Sequence, residues 1–194
     1  MPNVTGTGLS SRVPNATRKP RRQEIVLSHR TPVILGLMCA LVVASARADF
    51  NEGVAAFVAG HYDKALQTLV PLAETSDDAL AQYFLARMYA DGRGVDKNPA
   101  EAAKWFRKAA TKGVQEAQVR LGGLYERGDG VPQDMEYAYG WYAVAAHLGN
   151  PKGTAALQNS LQKLKPEELR AARLLADDLI AKYGKAPQNA AAQQ

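Results

Sequence analysis

Residues 81–113 read AQYFLARMYADGRGVDKNPAEAAKWFRKAATKG, and residues 117–149 read AQVRLGGLYERGDGVPQDMEYAYGWYAVAAHLG. The second stretch copies the first at a spacing of 36 residues with no insertion. Leu85 returns as Leu121, Tyr89 as Tyr125, Gly92 as Gly128, Gly94 as Gly130, Val95 as Val131, Trp105 as Trp141, and Ala109-Ala110 as Ala145-Ala146. A period of this length marks an array of helical hairpins, because each unit is too small to bury its apolar face except against the next one. The repeat thus predicts an all-α solenoid of stacked antiparallel helix hairpins, about eight helices in all.

Within a copy, the spacing of apolar residues predicts two helices. Ala81, Phe84, Leu85, Met88 and Tyr89 share one face at 100° per residue, with Tyr83, Arg87 and Ala90 on the other. Gly92 and Gly94 end this helix, as expected where the backbone needs φ > 0. Asn98 followed by Pro99 reads as an N-cap and first-turn proline, and Asp134 takes the Asn98 place in the second copy. The second helix carries Ala102, Trp105, Phe106, Ala109 and Ala110, a pattern in which small residues admit a neighbouring helix and a large ring fills the remaining gap.

The flanks depart from the period. Residues 49–76 predict a degenerate first hairpin broken at Gly60, with Pro71 expected to bend its second helix or to end its regular bonding early. There Ala73 stands 36 before Ala109, while Ala65 answers to Ala102 at an offset of 37. Residues 150–184 predict C-terminal capping helices, the longer one opening at Pro166 with Glu167 and Glu168 in its first turn. Its expected apolar stripe is Leu169, Ala172, Leu175, Leu179 and Ile180, and Gly184 is its terminator. Residues 185–194 carry no large apolar side chain and predict a disordered tail.

The N-terminus changes the meaning of the composition. A basic region precedes the uncharged run TPVILGLMCALVVASA and the small-residue site Ala46-Arg47-Ala48, which together predict a signal peptide over residues 1–48, cleaved after Ala48. The run of 16 residues is short of the roughly 20 of a spanning helix. Of the 24 Lys/Arg and 19 Asp/Glu in the chain, seven and one leave with this leader, so the net charge falls from +5 to −1. The basicity therefore belongs to the leader, and a nucleic-acid partner is not expected. The single Cys, Cys39, leaves as well, and with it any thiol nucleophile, disulfide or Cys metal site. Twin-arginine export is disfavoured because Glu24 and Ile25 follow Arg21-Arg22, and a lipoprotein because Met38 precedes Cys39. The length of the basic region points to initiation downstream of Met1, and an uncleaved leader would instead tether the solenoid to the membrane.

The joined pattern A-x-x-x-L-x-x-x-Y-x-x-G-x-G-V, then W-[FY]-x-x-A-A-x-x-G, resembles the Sel-one-like repeat (SLR) family, a relative of the tetratricopeptide repeats. The small residue after the Leu is Ala86 in one copy and Gly122 in the other, and Ala138 stands alone where Ala102-Ala103 are paired. This resemblance implies a right-handed superhelix serving as a scaffold for protein complexes, in bacteria often in the cell envelope.

Chemistry-bearing motifs are weak by comparison. The DGRGV and GDGV glycines close a helix instead of opening one, so they read as turns and not as a phosphate loop. Asp91, Asp96, Asp129 and Asp134 lack the alternate spacing and terminal Glu of a calcium loop. Glu167-Glu168 and Asp177-Asp178 point 100° apart on a helix, and His61 and His147 form no zinc pair. No metal or cofactor is expected. The expected function is a non-catalytic periplasmic scaffold that holds a protein or peptide on the concave face of the stack, through the side chains of the first helices that the stack does not need: Gln82, Tyr83, Arg87, Gln118, Val119 and Arg120. Arg120 falls where Phe84 packs in the first copy. The rival class, an envelope enzyme acting on peptidoglycan or a β-lactam, would need a nucleophile beside a base, and the serines after the leader, Ser76 and Ser160, lie in no nucleophile elbow.

Overall fold

The computed structural model describes residues 47–185. The leader and tail assigned from sequence fall outside the described residues, save Arg47, Ala48 and Lys185. Eight helices and no strand occur among the described residues: α1 (residues 47–58), α2 (Tyr62–Glu74), α3 (Ala79–Asp91), α4 (Pro99–Thr111), α5 (Gln115–Arg127), α6 (Met135–His147), α7 (Pro151–Leu161) and α8 (Pro166–Tyr183). Consecutive helices from α2 to α7 pack on one another, and α6 also packs on α8. No helix among the described residues is long and apolar enough to cross a membrane.

The bounds of α3 and α4 recur 36 residues later in α5 and α6 because the signals that set them recur. Asn98 accepts from the backbone N–H groups of Ala100 and Glu101 at 3.1 Å, and Asp134 does the same for Glu136 and Tyr137 at 3.0 Å. Gly92 and Gly128 end the first helices with φ of 69° and 73°. The turns that follow are bonded alike. Arg93 N–H donates to Met88 O as Asp129 N–H does to Leu124 O, both at 3.0 Å, and Asn98 N–H donates to Tyr89 O as Asp134 N–H does to Tyr125 O, both at 2.9 Å.

The second glycine of each turn has a different role. Gly94 and Gly130 also have positive φ, but they lie against the hairpin before their own: a Cβ on Gly94 would come 2.6 Å from Tyr62 Cβ, and one on Gly130 would come 2.2 Å from the backbone of Pro99. Each turn thus sits on the start of the preceding unit's second helix, a contact only a bare backbone can make.

Between the helices lies the layer of alanines and rings expected from the repeat. Ala81, Ala102, Ala109, Ala110, Ala117, Ala138 and Ala145 are fully buried, and Trp105 and Trp141 are 5% and 3% exposed. The two indoles are covered differently. Lys108 Nζ lies 4.0 Å from the centre of a Trp105 ring, whereas Tyr183 of α8 stacks on Trp141 at 5.5 Å and 21°. In α6 the polar face of α4 has been replaced. Lys104, Arg107 and Lys108 become Gly140, Ala143 and Val144, all buried, and the already buried Ala103 becomes Tyr139. The cause is α8: Leu179 Cδ1 would lie 2.8 Å from a Cβ on Gly140, and Tyr139 and Ala143 cluster with Leu164, Ala172 and Ala176. Ala138 stands alone because Tyr139 turns towards that cluster.

Two local expectations need adjusting. Pro71 does not stop α2, which runs on to Glu74 before Thr75 N–H closes on Pro71 O at 2.9 Å. Gly184 does follow α8, but with φ of −77°; what excludes a side chain is Ile180 O, 2.5 Å from where its Cβ would stand.

A polar tie holds the C-terminal helices. Tyr142 of α6 donates to Glu126 Oε2 of α5 at 2.6 Å, and Lys163 from the turn before α8 pairs with Glu126 Oε1. Burial works against the charged carboxylate, but the hydrogen bonds from Lys163 and Tyr142, with the nearby charges of Lys163 and Arg127, outweigh it and hold the Glu126 pKa below its ordinary value. Burial and the Glu126 partner push the Tyr142 hydroxyl far up. A carboxylate with a depressed folded pKa stabilises above its unfolded value, about 4.3, and that contribution is lost as the pH falls through the folded value. Chemical unfolding should therefore show Glu126→Gln less stable than the parent at pH 7, with the gap closing at pH 3. In the same assay Gly92→Ala should cost about 1–2 kcal/mol for its left-handed backbone, since Lys97 Cβ, 3.2 Å from the added methyl, need give way by only a few tenths of an ångström. Gly130→Ala should cost about 1–3 kcal/mol beyond that, because the Pro99 backbone cannot.

Candidate partner-binding groove

The six residues expected to meet a partner separate into three kinds. Gln82 and Gln118 are fully buried, which removes them from any surface a partner could touch. They are equivalent, 36 residues apart, and each is needed by the stack. Gln82 Nε2 donates to Ala73 O at 3.1 Å and to Asp77 Oδ1 at 2.7 Å, and Gln118 Nε2 donates to Ala110 O at 3.1 Å. Each amide thereby binds a carbonyl near the end of the previous hairpin: Ala73 O is one of the groups a helix C-terminus leaves open, and Ala110 O gains a second donor beside the Gly113 N–H at 3.1 Å. The acceptors Ala73 and Ala110 are 37 apart, the same offset as Ala65 and Ala102, so the first hairpin is one residue out of period in space as well as in sequence.

Tyr83 and Val119 are half-buried at the same register. Tyr83 lies edge-on to Phe84 at 5.5 Å and tilted over Phe106 at 6.0 Å, so it contributes to packing. Arg87 and Arg120 are the remaining pair, and the structure brings both to one groove. This cleft of about 240 Å³ runs between α3, α4 and α5 and has Ala90, Ala102, Phe106 and Leu124 among its lining residues. Its charged rim comprises Arg87, Asp91, Lys97, Arg120, Arg127 and Asp129. Lys97, Arg127, Phe106 and Leu124 were not among the sequence candidates. Arg127 was detectable, since it stands where the first copy has Asp91.

The rim charges are not equally committed. Arg127 pairs with Asp129 at 2.6 Å, and Asp91 pairs with Arg93 at 3.2 Å. Arg87 is held by rings instead: its guanidinium carbon lies 4.8 Å from the Phe57 ring centre, 5.5 Å from that of Phe84 and 5.7 Å from that of Tyr83. Arg120 is exposed. The neighbouring glycine opens the rim further. At Gly123, which replaces Arg87 in the second copy, a Cβ would meet the Arg127 guanidinium at 3.1 Å. A groove of this size is below the roughly 300–1,000 Å³ of small-molecule pockets and suits one or two side chains of a longer ligand.

Among the described residues no group of three or more His, Cys, Asp or Glu is placed to hold a metal ion. Ser160 is buried and its hydroxyl donates to Leu157 O at 2.7 Å, and Ser76 is exposed in the turn after α2.

Stacked hairpins with a groove across their first helices define a helical-repeat solenoid of the kind built for contact with other chains. Residues 79–114 and 115–150 each match the model of the Sel1 repeat. A Sel1 repeat protein from Oxalobacter formigenes is 33% identical with a TM-score of 0.55, covering 66% of this chain and 98% of that one. This chain belongs to the Sel1 repeat family. A protective antigen of uropathogenic Escherichia coli displaying an SLR fold is also 33% identical, with a TM-score of 0.68 over 72% of this chain and 30% of that one. Chitin synthase regulatory factor 3 of Schizosaccharomyces pombe is 36% identical over 101 residues, 51% of this chain. The match spans only 11% of that regulator's length.

The division between framework and groove makes opposite predictions for neighbouring residues. Gln118→Ala should lower unfolding stability by about 0.5–1.5 kcal/mol, because it removes the buried hydrogen bond from Gln118 Nε2 to Ala110 O, a carbonyl that keeps the Gly113 N–H as its other donor. Arg120→Ala should change it by less than about 0.5 kcal/mol, as for an ordinary surface site. Thermal denaturation of the two variants side by side checks the pair.

Proposed function

We propose that this chain is a non-catalytic scaffold of the cell envelope that holds a protein or peptide partner in the groove between α3, α4 and α5. The observation that carries this reading is where the two copies differ. Their turns, caps and alanine layer are duplicated, while Phe84, Arg87 and Asp91 of the first copy become Arg120, Gly123 and Arg127 of the second, and four of these residues, Arg87, Asp91, Arg120 and Arg127, line one cleft. Positions that the stack does not need are free to serve recognition. Membership in the Sel1 repeat family and the likeness to a protein named as a regulatory factor support an interacting role over an enzymatic one. The basic region, apolar run and Ala46-Arg47-Ala48 site support export to the periplasm with cleavage after Ala48.

The test is photo-crosslinking in intact cells from a reactive residue placed at Arg120, compared with one at Arg173, exposed on α8. A partner should be captured from the first position and not from the second, and the isolated protein should begin at Asp49. Equal capture from both positions, or turnover of a peptidoglycan or β-lactam substrate by the purified protein, would overturn the proposal.

A further inference from the structure

We infer that the partner presents an acidic segment with apolar side chains between its carboxylates, and that Arg87 and Arg120 are the residues that grip it. This inference rests on the groove being the partner-binding face and adds the chemistry of what binds there.

The groove carries four cations and two carboxylates. Both carboxylates are already paired, Asp129 with Arg127 and Asp91 with Arg93. Among the described residues, Arg87, Lys97 and Arg120 make no ion pair and no side-chain hydrogen bond, so the cleft presents uncompensated positive charge beside Ala90, Pro99 and Leu124.

Arg87 is unlike a solvated surface arginine. Its planar group rests among the rings of Phe57, Phe84 and Tyr83, which restrains the side chain, while stacking does not consume its N–H donors. A guanidinium so restrained loses less freedom on pairing with a carboxylate. Arg120 completes the arrangement from α5. Its counterpart Phe84 meets Phe50 and Phe57 at 6.1 and 5.3 Å, whereas Arg120 is exposed and free of that packing.

The apolar lining distinguishes an acidic peptide from a uniformly charged polymer. Ala90, Pro99 and Leu124, the apolar lining residues that keep some open surface, offer a polyuronate no hydrogen-bond partner from their side chains, and the fixed carboxylates of Asp91 and Asp129 disfavour dense negative charge. A peptide alternating carboxylate and aliphatic side chains satisfies the arginines and the lining together.

The experiment is fluorescence anisotropy with the full chain and labelled octapeptides alternating Leu with Glu, Gln or Lys, together with an oligouronate bearing as many carboxylates as the Glu peptide. The Glu peptide should bind at least about tenfold tighter than the Gln peptide, and the margin should shrink as salt is raised. Arg120→Gln should erase most of the margin with the melting temperature unchanged. Arg87→Lys should retain part of the affinity that Arg87→Gln loses, and the double variant Arg87→Glu with Arg120→Glu should favour the Lys peptide. Equal affinity for Glu and Gln peptides, or oligouronate binding as tight as the Glu peptide, would overturn the inference. If capture from Arg120 in cells persisted alongside such a result, the groove would remain the binding face with a different ligand chemistry. Loss of capture as well would remove the groove itself.

Discussion

The close approach of helices across an alanine layer is the constraint from which the rest of this structure follows. α4 lies between α3 and α5, and of the six side chains it turns inward four are alanines, Ala102, Ala103, Ala109 and Ala110, beside Trp105 and Phe106. A helix can be shared by two neighbours in this way only if its Cβ atoms do not hold them apart, and the voids that remain must then be filled by a few large rings. Trp105, Phe106 and Trp141 fill them. Each turn must reach back to the preceding hairpin with no side chain in the way, which accounts for glycine at positions 94 and 130.

A repeating stack of this kind has to be closed, and the closure explains where the second copy stops resembling the first. α6 exchanges the charged face of α4 for Gly140, Ala143 and Val144 because α8 covers it. Gly140 and Gly153 are the points of closest approach, a Cβ on the latter falling 2.6 Å from that of Ala145. Glu126, Tyr142 and Lys163 then tie α5, α6 and the turn before α8 by a charge-assisted network, so the last unit is held by polar bonds as well as by packing.

The groove proposed for recognition differs from the closed end of the stack in what its departures from the repeat do. Departures from the repeat in α6 are accounted for by α8, and Gly122 and Glu126 of α5 by Tyr142 of α6, whereas Arg120 and Arg127 of α5 pair with no other helix. Arg120 and Arg127 stand where Phe84 and Asp91 stand one unit earlier, and neither fills a gap in the core. One departure is answered by packing and the other by an open cleft.

The fold was legible in the chain itself because its signals are local and occur twice. Helix spacing, Asn98 and Asp134 as caps, and glycine at each helix end all act within a few residues, and the 36-residue period reports directly that units stack. The groove was legible only in part. Arg87 and Arg120 could be picked out as side chains the stack does not need, but Gln82 and Gln118 looked the same on a helical wheel and prove to be framework, bonded to Ala73 O and Ala110 O of the preceding hairpin. A wheel assigns a residue to a face of its own helix and knows nothing of the carbonyl that the neighbouring unit presents to it. Which polar side chains are consumed in holding hairpins together, and which remain for a partner, was therefore decided by the packing of one unit on the next.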